Sequence, residues 1–247
     1  MLSTAQQTKT TKAYVLARLT DAGVDLTDAN GRAFKTRFDA QFDRLFALFA
    51  SLYGERDDCV ESLVKLIAMA HQSWRDRPQA MKAVDRAREA APDWFQSNQM
   101  LGVFCYVDRY AGDLKRMSAD IPYLKELGVT YLHLMPLFAC PDDNSDGGYA
   151  VSSYREVRSD LGTMDDLTVL ADELRENGIS LVVDFVFNHT SNEHTWAKKA
   201  AAGDPDYSDY YWIYPDRTMP DAFEKTVREV FPDDHPGAFV QLPDGRW

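Results

Sequence analysis

Residues 181–189, Leu181-Val182-Val183-Asp184-Phe185-Val186-Phe187-Asn188-His189, decide the interpretation of this chain. An apolar, β-branched run leads directly into an acid, an amide and an imidazole, with no turn residue between them. Such a run is typical of a strand buried on both faces, as in parallel sheets. Because α/β proteins bind ligands beyond the carboxyl ends of their strands, the polar residues indicate a site there. The plainer alternative is a strand that ends in polar loop residues.

The sequence before this stretch alternates between strand and helix patterns. Residues 103–107 and 129–137 are predicted strands, and residues 179–187 form the third. Predicted helices lie near 121–127 and 164–177, and each is followed by a glycine, Gly128 or Gly178, where a left-handed helix end costs little. This alternation predicts βαβ units and a parallel sheet.

The flanking regions have different patterns. Before residue 100, apolar residues recur at three-to-four-residue spacing, as in Phe38, Phe42 and Phe46, which predicts helices. After Thr190, a region rich in Pro, Asp and aromatic residues suggests a long excursion from the third strand, and such loops are usually functional. We therefore expect an all-helical N-terminal domain at 1–100, a sheet-containing domain at 101–190 and the start of a loop-rich domain at 191–247.

Composition excludes several partner classes. The chain has 247 residues and a formal net charge of -12, which argues against nucleic acid because phosphate binding needs clustered basic residues. No apolar run is long enough to span a bilayer, so no membrane partner is expected. The start lacks a signal-peptide pattern, and Cys59, Cys105 and Cys140 have no paired or metal-like spacing. Cytoplasm is the expected location, and no apolar stripe is left over to suggest an oligomeric state.

Several motifs together resemble glycoside hydrolase family 13, the α-amylase family. Residues 184–189, Asp-Phe-Val-Phe-Asn-His, resemble the first signature region of that family, and Asp146-Gly147-Gly148-Tyr149 resembles the loop after its second strand. Residues 131–137 (Tyr-Leu-His-Leu-Met-Pro-Leu), residues 188–194 and Phe231-Pro232-Asp233 resemble the amylosucrase branch more closely. The helical block leading into Pro92-Asp93-Trp94 does so too. The resemblance covers essentially the whole chain.

The resemblance implies a fold and a site. The fold is an incomplete (β/α)8 TIM barrel, with its first three βα units and the start of a loop domain, preceded by an all-helical domain. Sucrose is the implied glucosyl donor, and an α-1,4-glucan or water is the acceptor. Asp146, Tyr149 and His189 are the implied substrate-binding residues. Tyr149 would offer an aromatic face, Asp146 would bind hydroxyls or an arginine, and His189 would bind a hydroxyl more tightly as the ring flattens.

Other polar residues are given supporting or unrelated roles. Asp184 and Asn188 are expected to support the site at the strand end. Asn188 resembles a residue that helps to hold calcium in many relatives, but the amylosucrase branch implies no metal and no cofactor. For Asp146 the alternative is a simple turn residue, since Asp-Gly favours turns. We expect His133 to pack in its strand, and His194 and His235 to lie on a surface loop.

The resemblance assigns no catalytic residue to this chain. Retaining glycosidases use a nucleophile and an acid/base carboxyl group about 5 Å apart. In the family these follow the fourth and fifth strands, and a third acid follows the seventh. The sequence predicts only three barrel strands before Trp247, so we expect a truncated product or a segment of a longer enzyme. Since closure needs about eight strands, the segment alone is expected to be inactive and poorly soluble.

Two alternatives remain open at this point. One is another α-amylase-family activity, such as an α-amylase or a trehalulose-forming isomerase. The other is a non-catalytic member that binds sugar or acts as a scaffold. The choice between polymerising and hydrolysing outcomes depends on acceptor-site residues outside this sequence.

Overall fold

The computed structural model describes residues 4–229 and 237–247. The chain divides into two compact units, Met1–Asp93 and Trp94–Trp247. The Phe231-Pro232-Asp233 motif and His235 lie outside the described residues.

The first unit is built from helices in its described part. Their bounds are α1 Thr4–Asp21, α2 Ala29–Tyr53, α3 Cys59–Asp76 and α4 Gln79–Ala90. Asp28 caps α2 by accepting a hydrogen bond from the Gly31 amide at 2.6 Å, which satisfies a donor that the first helical turn leaves free. The apolar stripe of α2 packs against α1 and α3, with a buried core made of Val15, Leu19, Phe38, Phe42, Leu63, Val64 and Ile67.

The second unit contains short strands and helices. Its strands are β1 Gly102–Cys105, β2 Tyr131–Leu134, β3 Phe138–Ala139, β4 Ser153–Val157 and β5 Ser180–Val183. Its α-helices are α5 Val107–Tyr110, α6 Leu114–Ala119, α7 Ile121–Glu126, α8 Met164–Glu176, α9 Thr195–Ala201, α10 Pro205–Ser208 and α11 Thr218–Glu224. Single 3₁₀ turns lie at Trp94–Gln96 and Asp146–Gly148.

Three of the described strands form a parallel sheet in the order β1-β2-β5. Because β2 is central, Leu132 and Leu134 are wholly buried on the face that packs against the helices. Both predicted connecting helices are present, and Gly128 and Gly178 follow them with φ of 80° and 76°. The predicted parallel sheet with helices is therefore confirmed.

The third strand differs from its prediction. It ends at Val183 rather than Phe187, and its four residues are half-buried rather than buried on both faces. The reason is its place at an edge of the described sheet, where β2 is its single partner strand. Beyond Val183, the Asp184 amide still donates to the Leu134 carbonyl at 3.3 Å, and the ladder stops there.

The predicted second strand is also split. Residues 129–137 contain β2 alone, and Phe138–Ala139 then pairs in an antiparallel manner with Ser153–Val157. This β3–β4 hairpin was missed because a two-residue strand carries no periodic signal. It holds the Asp146–Tyr149 segment in the loop between its strands.

No helix in the described parts of the chain is long and apolar enough to cross a membrane. Cys59, Cys105 and Cys140 are free thiols.

Candidate functional site

The carboxyl edge of the parallel sheet brings polar side chains together. Asp184 follows β5 directly, and its Oδ2 accepts a hydrogen bond from the Tyr149 hydroxyl at 3.1 Å. Its Oδ1 lies 3.0 Å from Nε2 of His133, which belongs to β2. Both carboxylate oxygens are thus occupied. Three segments distant in sequence meet at one carboxylate.

Asp146 lies in the tight turn that delivers Tyr149. Its φ is 51°, in the left-handed region that Asp tolerates better than most residues. Its carbonyl accepts from the Tyr149 amide at 3.2 Å, so the turn interpretation holds for its backbone. The exposed carboxylate makes no hydrogen bond or ion pair with the described residues, which leaves it available to a ligand.

Gly148 explains why the turn can lie so close to Pro136, which is two residues beyond the end of β2. Its φ is 94°, and a Cβ atom there would come within 3.0 Å of Cβ of Pro136 and 3.3 Å of its carbonyl oxygen. Only glycine permits both this backbone conformation and this approach. The position of the Gly148 backbone therefore determines the position of the Tyr149 backbone.

His189 and Asn188 are exposed at the end of the segment after β5. Nδ2 of Asn188 lies 3.3 Å from Nδ1 of His189. Because an amide nitrogen can only donate, this contact fits the ring tautomer in which Nδ1 accepts and Nε2 is protonated. Nε2 is then a donor that can serve a hydroxyl oxygen. No hydrogen bond between described residues joins His189 to Tyr149 or Asp146.

Tyr154 of β4 holds the segment that carries these residues. Its hydroxyl donates to the Val186 carbonyl at 2.5 Å and reaches the His189 carbonyl at 3.4 Å. Its ring stacks on Phe185 with centroids 4.9 Å apart. Residues 185–189 lie beyond the last ladder bond, which the Asp184 amide makes, and Tyr154 anchors them to β4 instead.

The environment of Tyr149 keeps its hydroxyl protonated. Burial raises the pKa of the Tyr149 phenol, and the hydrogen bond to Asp184 and the charge of that carboxylate raise it further. Tyr149 therefore remains a donor at neutral pH, with its ring half-buried at the edge of the sheet.

An open cavity of about 880 Å³ lies near this edge but at another place. It is bordered by the β3–β4 hairpin and includes Tyr106, Cys140, Gly147 and Arg158. Tyr149, Asp184 and His189 do not line it. The three described parallel strands form an open sheet, so their carboxyl edge does not enclose a cavity. The polar side chains that meet at this edge therefore identify the candidate site better than cavity volume does.

Sequence reasoning missed two residues of this arrangement. His133 was expected only to pack, yet it contacts Asp184, and Tyr154 was not singled out at all. The sequence did carry a signal for His133. It lies between Leu132 and Leu134 in the strand, so its side chain points to the opposite face of the sheet, away from the helices. Within the described residues, no group of three or more His, Cys, Asp or Glu side chains could hold a metal ion.

Sequence comparison with known proteins finds a family model and several relatives that match this chain. Residues 51–235 match the family model for the α-amylase catalytic domain. Oligo-1,6-glucosidase of Parageobacillus thermoglucosidasius is 43% identical over 101 residues, which are 40% of this chain and 18% of that protein. Trehalose synthase of a Pimelobacter species is 35% identical over 153 residues, 59% of this chain and 25% of that protein.

Among solved structures, trehalulose synthase MutB from Pseudomonas mesoacidophila MX-45 is 35% identical. The match covers 49% of this chain and 23% of that one, with a TM-score of 0.44. The matched regions make up only 18% and 25% of the two curated relatives above. The family model spans well over half of the chain, from α2 through the parallel sheet to the region after α11. The chain belongs to the α-amylase family.

Proposed function

We propose that this chain forms the first part of a sucrose-acting enzyme of the amylosucrase type. In this proposal the chain contributes the first three units of a (β/α)8 barrel and one wall of the glucosyl pocket. Asp146, Tyr149 and His189 bind the glucosyl ring, and Asp184 and Asn188 support them. Later strands of a longer protein supply the nucleophile and the acid/base carboxylates of a retaining mechanism.

The observation that carries the proposal is the meeting of Tyr149 with Asp184 at the carboxyl edge of the sheet. In α/β barrels this edge is where substrates bind. Tyr149 is fixed by its hydroxyl while its ring remains partly accessible, which suits an aromatic surface for a sugar. Asp146 adds an unpaired acceptor, and His189 adds an available donor.

The choice of sucrose rests on the motifs that resemble the amylosucrase branch, at residues 131–137 and 188–194. Glucose is then transferred to an α-1,4-glucan or to water. A second candidate is an α-glucosidase or isomerase that acts on another disaccharide. It is favoured by the likeness to an oligo-1,6-glucosidase and a trehalose synthase.

The test is incubation of the full-length protein that contains this chain with sucrose, maltose, isomaltose and starch in parallel. The proposal expects fructose release from sucrose, with longer glucan chains or free glucose as the second product. Consumption of isomaltose or maltose without fructose release would favour the second candidate. No consumption of any of them, together with measurable sugar binding, would favour a non-catalytic member.

The segment alone is a further test of the same proposal. Because the proposal places both catalytic carboxylates on later strands, residues 1–247 expressed alone should release no fructose. Robust turnover by this segment would contradict the assignment.

A further inference from the structure

We propose that His133 is a positioning residue for the glucosyl pocket. It holds Asp184, which in turn holds the Tyr149 hydroxyl and so fixes the aromatic ring that faces the sugar. This inference rests on the proposed function, because it takes Tyr149 as a surface for the glucosyl ring.

The register of the sheet places His133 and Asp184 on the same face. His133 is paired with Val182 of β5, and Asp184 lies two residues further along, so both point to the same side. The neighbouring Leu132 and Leu134 point to the opposite side and are wholly buried against the helices. Since the Asp184 amide still bonds to Leu134, the backbone beneath the carboxylate is fixed relative to β2.

The carboxylate of Asp184 is held at two points. His133 contacts Oδ1 at 3.0 Å and Tyr149 contacts Oδ2 at 3.1 Å. An ionised carboxylate only accepts, so Nε2 of His133 donates. The side chains of His133 and Asp184 are 31% and 23% exposed, which limits competition from water. With His133 removed, Tyr149 is the one side-chain anchor of Asp184 among the described residues, and the carboxylate can rotate away from it.

A packing role makes a different prediction. If His133 only fills space beside β5, a phenylalanine of similar shape should replace it with little effect on sugar binding. If it acts through Asp184, its loss should matter only while Tyr149 has a hydroxyl to be held. The two roles are separated by whether the effects of substitutions at His133 and Tyr149 are independent.

The experiment uses the full-length protein with His133→Phe, His133→Gln, Tyr149→Phe and the double variant His133→Phe/Tyr149→Phe. Calorimetry measures the Kd for 1-deoxynojirimycin, a mimic of the glucosyl ring, and kcat/KM is measured for sucrose and for 4-nitrophenyl α-glucoside. We expect His133→Phe and Tyr149→Phe each to weaken binding about tenfold. The double variant should be weakened about as much as either single one.

His133→Gln is the matched control, because its amide nitrogen can stand near the position of Nε2 and donate to Asp184. It should recover most of the loss seen with His133→Phe. If His133→Phe does not fold, His133→Gln is compared with His133→Asn, whose shorter side chain cannot bring its amide nitrogen to Asp184. Binding of 1-deoxynojirimycin should then be weakened in His133→Asn and not in His133→Gln. Two results would overturn the inference. One is a double variant whose loss of affinity is the product of the two single losses. The other is an equal loss of affinity in His133→Gln and in the variant with which it is compared, His133→Phe or His133→Asn.

The outcomes also separate this inference from the proposed function. If sucrose is not consumed but 1-deoxynojirimycin binds with the expected coupling, the proposed substrate is wrong and the role of His133 stands. If sucrose releases fructose and the coupling is absent, the role of His133 is wrong and the proposed function stands. A wild-type protein that does not bind the ring mimic would overturn the inference too.

Discussion

Tyr149 and Asp184 join two loops at the carboxyl edge of the parallel sheet through one hydrogen bond of 3.1 Å. Tyr149 comes from the loop between β3 and β4, and Asp184 follows β5 directly. The contact converts two separate loop ends into one surface. Asp146 lies two residues before Gly148 in the same turn, and His189 lies at the end of the segment that Tyr154 anchors.

The aromatic ring of Tyr149 should dominate affinity for the glucosyl ring. Tyr149→Ala in the full-length protein is expected to raise the KM for sucrose about tenfold or more, because the variant loses the apolar face that we propose as the surface for the sugar. The control is Tyr210→Ala, since Tyr210 is 63% exposed and lies outside the candidate site. Equal KM values for Tyr149→Ala and the wild type would remove Tyr149 from the pocket.

The two glycines Gly148 and Gly178 form a matched pair. Both have positive φ, but a Cβ atom at Gly148 would meet Pro136 at 3.0 Å, whereas at Gly178 nothing lies within 4 Å. Gly178→Ala should cost about 1 kcal/mol from backbone conformation alone, with sucrose turnover retained. Gly148→Ala should cost more and reduce turnover, because the turn must move and carry Asp146 and Tyr149 with it.

Thermal unfolding and sucrose kinetics on both variants check this expectation. Similar kinetics for Gly148→Ala and Gly178→Ala would mean that the close approach to Pro136 does not position the site.

The core of the helical unit should depend strongly on Phe42. This residue is 1% exposed and packs between Phe38 and Phe46, with ring centroids 4.9 and 5.8 Å away. Phe42→Ala is expected to lower the free energy of unfolding of this unit by about 3–5 kcal/mol. Leu52→Ala on the same helix is the control, since Leu52 is 76% exposed and should change stability by less than about 0.5 kcal/mol.

Hydrogen exchange of the α2 and α3 amides reports the stability of this unit directly. Similar protection in Phe42→Ala and Leu52→Ala would contradict the packing described for α2.

The stability of the helical unit should also fall at mildly acidic pH because of His71. Its side chain is buried, Nε2 has no hydrogen-bond partner among the described residues, and its ring meets Phe34 edge-on at 5.0 Å. Burial lowers the pKa of His71, and Arg75 lowers it further, while Asp28 opposes them. The unfolded chain therefore binds the proton more readily than the folded one.

Because the folded pKa lies below the unfolded value of about 6.5, stability is lost as the pH falls below 6.5 and continues to fall until the folded pKa is reached. His71→Phe should remove this part of the pH dependence, and hydrogen exchange of α3 between pH 7.5 and 5 measures it. His194→Gln is the control. Burial lowers the pKa of His194 as well, but this residue belongs to the second unit, so its substitution should leave the pH dependence of α3 exchange unchanged. If the stability of α3 falls with pH in His71→Phe as steeply as in the wild type, His71 is not the source of the pH dependence.

The parts of the fold that local sequence specifies were predictable. Helix α8 begins at a capping box in which Thr163 and Asp166 bond each other's backbone amides, and it is followed by Gly178 in a left-handed conformation. The spacing of its apolar residues and the position of its end are both determined by residues close together in the sequence. The same holds for α2, whose apolar residues recur along one side.

Features that depend on pairing between distant residues were not predictable in the same way. The end of β5 at Val183 depends on where β2 stops, and the β3–β4 hairpin depends on two residues pairing with a strand beyond a long loop. The contact between His133 and Asp184 requires the register of β2 against β5, which no local pattern gives. Motif resemblance did single out Tyr149 and Asp184 individually, and the structure adds that they touch.

A crystal structure of the full-length protein, with sucrose bound to a catalytically inactive variant, tests the proposed site most sharply. We predict that the glucosyl ring lies against the Tyr149 face, with its hydroxyls within hydrogen-bond distance of Asp146 and Nε2 of His189, and that Asp184 is still bonded to His133 and Tyr149. A glucosyl ring bound elsewhere, with these side chains facing only solvent or protein, would contradict it.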